Sequence, residues 1–133
     1  MLKSKSDQPD NRPEIQIAFR TNENGDPLYI DDKGTRHFKI RISIQNIPGD
    51  SYAVNYQLHP SYISSFREQR NREEDFAFNT TTYGDYIISA EVMGKKINTI
   101  ASGLVSDLIN KYYSGSGAVN NAVTAAITKI KLA

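Results

Sequence analysis

Hydrophobic positions recur with period two over most of the chain. Ile15, Ile17 and Phe19 alternate with Gln16 and Ala18. Phe38, Ile40, Ile42 and Ile44 alternate with Lys39, Arg41 and Ser43, and Val54, Tyr56 and Leu58 with Asn55 and Gln57. Tyr86, Ile88, Ala90 and Val92 complete the series. Successive side chains of a strand point to opposite faces, so the alternation predicts half-buried strands of antiparallel sheets. Shorter candidates run from Leu28 to Ile30 and from Asp75 to Asn79, the latter with Phe76 and Phe78 on one face. Turn chemistry separates the strands: NENGDP from Asn22 to Pro27, DDKG ending at Gly34, and NIPGD around Pro48 and Gly49. Short strands joined by such turns predict a β-sandwich.

After Val92 the period changes. Ile97, Ile100, Ala101, Leu104, Val105, Leu108 and Ile109 are spaced as one face of an amphipathic helix, which SGSG at Ser114 to Gly117 stops. A second helix carries Val119, Val123, Ile127 and Ile130 near one stripe, with Lys129 and Lys131 in its last turn. The expected organisation is therefore a polar, disordered arm over 1–13, a sandwich over 14–93, and a helical hairpin over 94–133. That hairpin would pack on the sandwich or on a partner.

Composition narrows the function classes. A chain of 133 residues suits one domain with a single core. Sixteen basic and fifteen acidic side chains leave a net charge of +1. That balance gives no field to attract a polyphosphate backbone, so a nucleic-acid partner is not expected. No cysteine is present, which excludes disulfides and thiolate metal sites. The opening MLKSKSDQPDNRPE has no apolar core, and no apolar run approaches about 18 residues. Neither a signal peptide nor a membrane span is expected, and a cytoplasmic location follows by default.

Candidate chemistry centres on LHPSY, Leu58 to Tyr62. His59 and Ser61 lie two apart, so on extended chain they share a side and can hydrogen-bond. A nucleophilic serine also needs a group orienting its base, or the glycines of a nucleophile elbow, and neither surrounds HPSY. No catalytic residue is assigned. His37 and His59 are the only histidines, and the acids of REEDF stand beside arginines that neutralise them, so no metal site and no cofactor are assigned. The run FREQRNREED reads as an exposed loop with weak local ion pairs. Tyr62 follows one strand and Tyr83, in TTTYGDY, precedes another. If their loops share one end of the sandwich, the rings wall a slot with Ser61 and His59 at its base. The spacing equally fits tyrosines that cap the core.

The stretches VNYQLHPSY and FAFNTTTYGDYIISAEV, in this order, resemble the YEATS domain, specifically its prokaryotic branch. The matching positions are Val54, Tyr56, Leu58, His59, Pro60, Ser61, Tyr62, Arg67, Phe76, Tyr83, Gly84, Asp85, Tyr86, Ile88, Ala90 and Val92. FKIRISIQNIPGD also looks like the strand that precedes the motif, so the likeness spans roughly Glu14 to Val92. It implies an immunoglobulin-like β-sandwich. Eukaryotic members bind acylated lysine between aromatic side chains. Carried over, Tyr62 and Tyr83 would be the walls, and Ser61, supported by His59, would contact the acyl amide. Backbone around Tyr83 and Gly84 would meet the acyl carbonyl, and Asp85 counts with these among the ligand-binding residues. The chain departs from lysine readers at Gly34 and Thr35, where they show a further aromatic. Prokaryotic relatives also have no histone tails to read.

These readings imply a non-enzymatic recognition module for a small ligand or a modified, acyl-lysine-like side chain, in prokaryotic signalling or defence. The competing reading is a structural subunit that meets a protein partner, or a second copy of itself, through its C-terminal helices.

Overall fold

The computed structural model describes residues 12–62 and 64–133. The alternating segments form two four-stranded antiparallel sheets. The first sheet contains β1 (Glu14–Phe19), β2 (Tyr29–Asp32), β3 (Thr35–Gln45) and β6 (Phe78–Thr82). β3 is its centre: β6 lies along one edge, and β1 and β2 follow one another along the other. Lys39 marks that junction, accepting from the Arg20 N–H and donating to the Leu28 carbonyl, both at 2.9 Å. The second sheet comprises β4 (Ser51–Gln57), β5 (Phe66–Gln69), β7 (Ile87–Gly94) and β8 (Asn98–Leu104), in the order β5-β4-β7-β8.

Every alternating hydrophobe read from the sequence is buried between these sheets, except Tyr86, which is half-buried. The facing sheets share one apolar cluster. This is an immunoglobulin-like β-sandwich.

Two helices follow, α1 (Val105–Ser116) and α2 (Asn121–Leu132). α1 ends where Gly117 takes φ 71°, a left-handed conformation that glycine adopts without a Cβ clash, and its N–H returns to the Tyr113 carbonyl. Val105, Ile109, Tyr113, Val123, Ala126, Ile127 and Ile130 are buried in the same cluster as the strands. The Tyr113 ring lies 5.8 Å from Phe19, and its hydroxyl accepts the Phe19 N–H at 3.0 Å. Asn120 caps α2 by accepting the Val123 N–H, while its amide donates to the Gly25 carbonyl at 3.1 Å. The buried faces of both helices are therefore covered by the protein's own sandwich, while Val119 and Leu132 stay exposed.

Three expectations change, and a fourth lies almost wholly outside the described residues. Residues 98–104 are a strand paired with β7, so the helix expected from Ile97 starts only at Val105. Small residues face inward there: a methyl on Gly103 would come within 3.0 Å of the Leu108 side chain, because α1 folds back over that strand. The charge run is no simple loop, since Phe66–Gln69 pairs with β4 and Arg72–Glu74 forms a 3-10 turn. Phe76 lies outside β6 with φ 56°, its ring buried and its carbonyl accepting the Tyr56 hydroxyl at 2.9 Å. The arm expected over 1–13 lies outside the described residues except for Arg12 and Pro13, and Pro13 is buried.

Candidate functional site

LHPSY leaves β4 in a tight turn. The Tyr62 N–H donates to the His59 carbonyl at 3.1 Å, with Pro60 at the position where its fixed φ suits a turn. Within that turn the Ser61 N–H donates to His59 Nδ1 at 3.1 Å, and Ser61 Oγ lies 2.9 Å from the same nitrogen. A backbone N–H is a fixed donor, so Nδ1 is the acceptor and the neutral ring carries its proton on Nε2. The His59–Ser61 pair read from the sequence is thus a closed local unit.

TTTYGDY joins β6 to β7 at the same end of the sandwich. Thr82 Oγ1 donates to the Gly84 carbonyl at 2.9 Å and holds the bend. Asp85 turns away from a ligand role as a free charge. Its two carboxylate oxygens accept the Ser106 N–H at 2.9 Å and the Ser106 hydroxyl at 2.5 Å. It thereby caps α1 from a neighbouring loop.

Between the two loops lies an open cleft of about 140 Å³, bordered by His59, Ser61, Tyr62, Tyr83, Gly84 and Asp85. All six residues singled out in the sequence meet there. Thr82, Tyr86 and Ala133 complete the lining. Tyr62 is fixed: its hydroxyl donates to the Thr81 carbonyl at 2.6 Å, and its ring meets Tyr86 edge-on at 5.9 Å. Tyr83 is 44% exposed and rests on His37, ring centroids 5.1 Å apart. Tyr86 also meets His59 edge-on at 5.7 Å. Burial, and secondarily the hydrogen bond to Tyr62, push its phenol well above the ordinary tyrosine range.

Lys39 directs its backbone groups to the β1/β2 edge, so the Phe38–Thr82 pair carries the ladder bonds to β6. Alternation then turns the Tyr83 N–H away from β3, and neither it nor the Gly84 N–H has a hydrogen-bond partner among the described residues.

Sequence reasoning passed over three contributors. Tyr86 was assigned to the core by its register, which is correct for its ring but ignores its place at the strand's mouth. His37 reads as an outward residue of β3, and only pairing of β3 with β6 brings it to Tyr83. Ala133 arrives from α2, and no local signal marks it.

The family model of the prokaryotic YEATS domain matches residues 38–100, which carry β3 from Phe38 onward, β4 through β7 and both loops of the cleft. The motif resemblance and this match agree on the family. Among solved structures, the Yaf9 YEATS domain recognizing an H3K122suc peptide is similar at 15% identity. That likeness covers 70% of this chain and 78% of that one, with a TM-score of 0.45. No curated protein sequence matches the chain. Among the described residues, no helix is long and apolar enough to cross a membrane.

Proposed function

We propose that the protein is a non-enzymatic recognition module whose cleft takes a neutral acyl amide of the acyl-lysine kind. One observation carries this reading: a half-exposed tyrosine and a fixed one flank an open cleft, and the backbone N–H groups of its lining residues Tyr83 and Gly84 have no partner among the described residues. An acylated lysine has lost its charge, so it offers a planar amide for stacking and a carbonyl for those donors. Ser61 Oγ supplies a further polar contact at the rim. The one side-chain carboxylate at the cleft, Asp85, is already engaged by Ser106, so nothing there calls for a charged ligand.

Catalysis is not part of the proposal. The lone pair of His59 Nδ1 already meets the Ser61 amide, which leaves it a poor base for the Ser61 hydroxyl.

The test is a calorimetric titration of the full chain with acetyl-lysine amide, alongside Tyr83→Ala. Tyr83 is exposed enough to be replaced without unsettling the core. Removing one stacking wall should weaken binding about tenfold or more, if base-stacking magnitudes transfer. Equal affinity in both proteins, or binding in neither, would end the proposal.

A further inference from the structure

The side of the cleft left open by the two loops is met by a part of the chain outside the family match. α2 begins at the 22–26 turn, where Asn120 donates to the Gly25 carbonyl, and its twelve residues carry the chain about 18 Å toward the β6–β7 loop. Ala133, just beyond, lines the cleft. A methyl built on Gly84 would lie 3.7 Å from Ala133 Cβ, so loop and helix end are neighbours separated by about the room of one methyl group. The helix is held in place by Val123, Ala126, Ile127 and Ile130, all buried in the sandwich core. Its last buried anchor, Ile130, stands three residues before Ala133, whose N–H returns to the Ile130 carbonyl at 3.4 Å. Leu132, by contrast, is 81% exposed.

Resting on the acyl-amide reading above, we infer that the end of α2 is the specificity-determining wall of the slot and selects short acyl chains. The size argument is direct. A cavity of about 150 Å³ holds a benzene-sized guest of about six heavy atoms. The cleft, at about 140 Å³, matches an acetyl or butyryl amide. A hexanoyl amide exceeds that volume, and on this inference its added methylenes meet Ala133 on the side that α2 closes. One methylene that a pocket cannot accommodate changes selectivity by about tenfold or more.

The experiment compares acetyl-, butyryl- and hexanoyl-lysine amides on the intact chain and on a chain lacking Leu132 and Ala133. The intact protein should prefer butyryl over hexanoyl by about tenfold or more, and the shortened one should lose that preference. Because Leu132 is exposed and Ile130 remains, the thermal midpoint should hardly move. A second variant, Ala133→Trp, should fill the cleft and abolish binding of all three. An unchanged chain-length ranking after removal of the two residues would overturn the wall while leaving the slot intact. Failure of every protein to bind any of the amides would overturn the slot and the wall together.

Discussion

Replacing Asp85 by alanine isolates the link between the cleft loop and the helices. Leu104 stands at the N-cap of α1 and has no side-chain oxygen to offer, so Asp85 does that work from the β6–β7 loop. Ser106 is fully buried, and both its amide and its hydroxyl donate to this carboxylate. The alanine variant loses a helix cap, about 1 kcal/mol, and leaves a buried hydroxyl unpaired, about 1–3 kcal/mol. The sum is about 2–4 kcal/mol, a large share of the roughly 5–15 kcal/mol that holds a domain folded. Asparagine keeps an acceptor for the amide, and Ser106 Oγ can accept from its NH₂, so Asp85→Asn should cost about 1 kcal/mol. Urea unfolding measures both, as a lowered midpoint at unchanged slope. Removing Ser106 as well should recover part of the loss, because the double variant leaves no buried hydroxyl waiting for an acceptor. An Asp85→Ala protein within about 0.5 kcal/mol of the parent would refute the reasoning.

Burial raises the phenols of Tyr56, Tyr86 and Tyr113 above the ordinary tyrosine value. A raised folded value means that their contribution to stability is full below about pH 10 and declines as pH rises beyond it. In an alkaline titration followed by tyrosinate absorbance, these three of the eight tyrosines should ionise only with unfolding. Eight phenols titrating together in a folded protein would contradict this. Tyr113→Phe removes the acceptor of the buried Phe19 N–H and should destabilise by about 1–2 kcal/mol in urea, whereas an unchanged midpoint would show that bond to be dispensable.

The sandwich was legible because its strands bury one face each, and a two-residue period leaves little ambiguity once apolar side chains mark that face. The same logic failed at β8. There Ala101 and Gly103 take the inner positions beside Leu108, while Ile100 faces out, so the large hydrophobes imitate a helical stripe. Phe76 misled for a backbone reason: both it and Asp75 hold positive φ, which no side-chain pattern announces. The six cleft residues were found from two short motifs. His37, Tyr86 and Ala133 were not, since strand pairing and helix docking, rather than sequence neighbourhood, bring them there.

The central claim is that the Tyr83 and Gly84 N–H groups, which have no partner among the described residues, receive an acyl carbonyl. The most direct measurement is an amide ¹H–¹⁵N spectrum of the full chain titrated with acetyl-lysine amide. Saturable downfield shifts concentrated at Tyr83 and Gly84, with Ser61 following, are the predicted result. No shift at these residues, or the largest shifts on another surface, would contradict it.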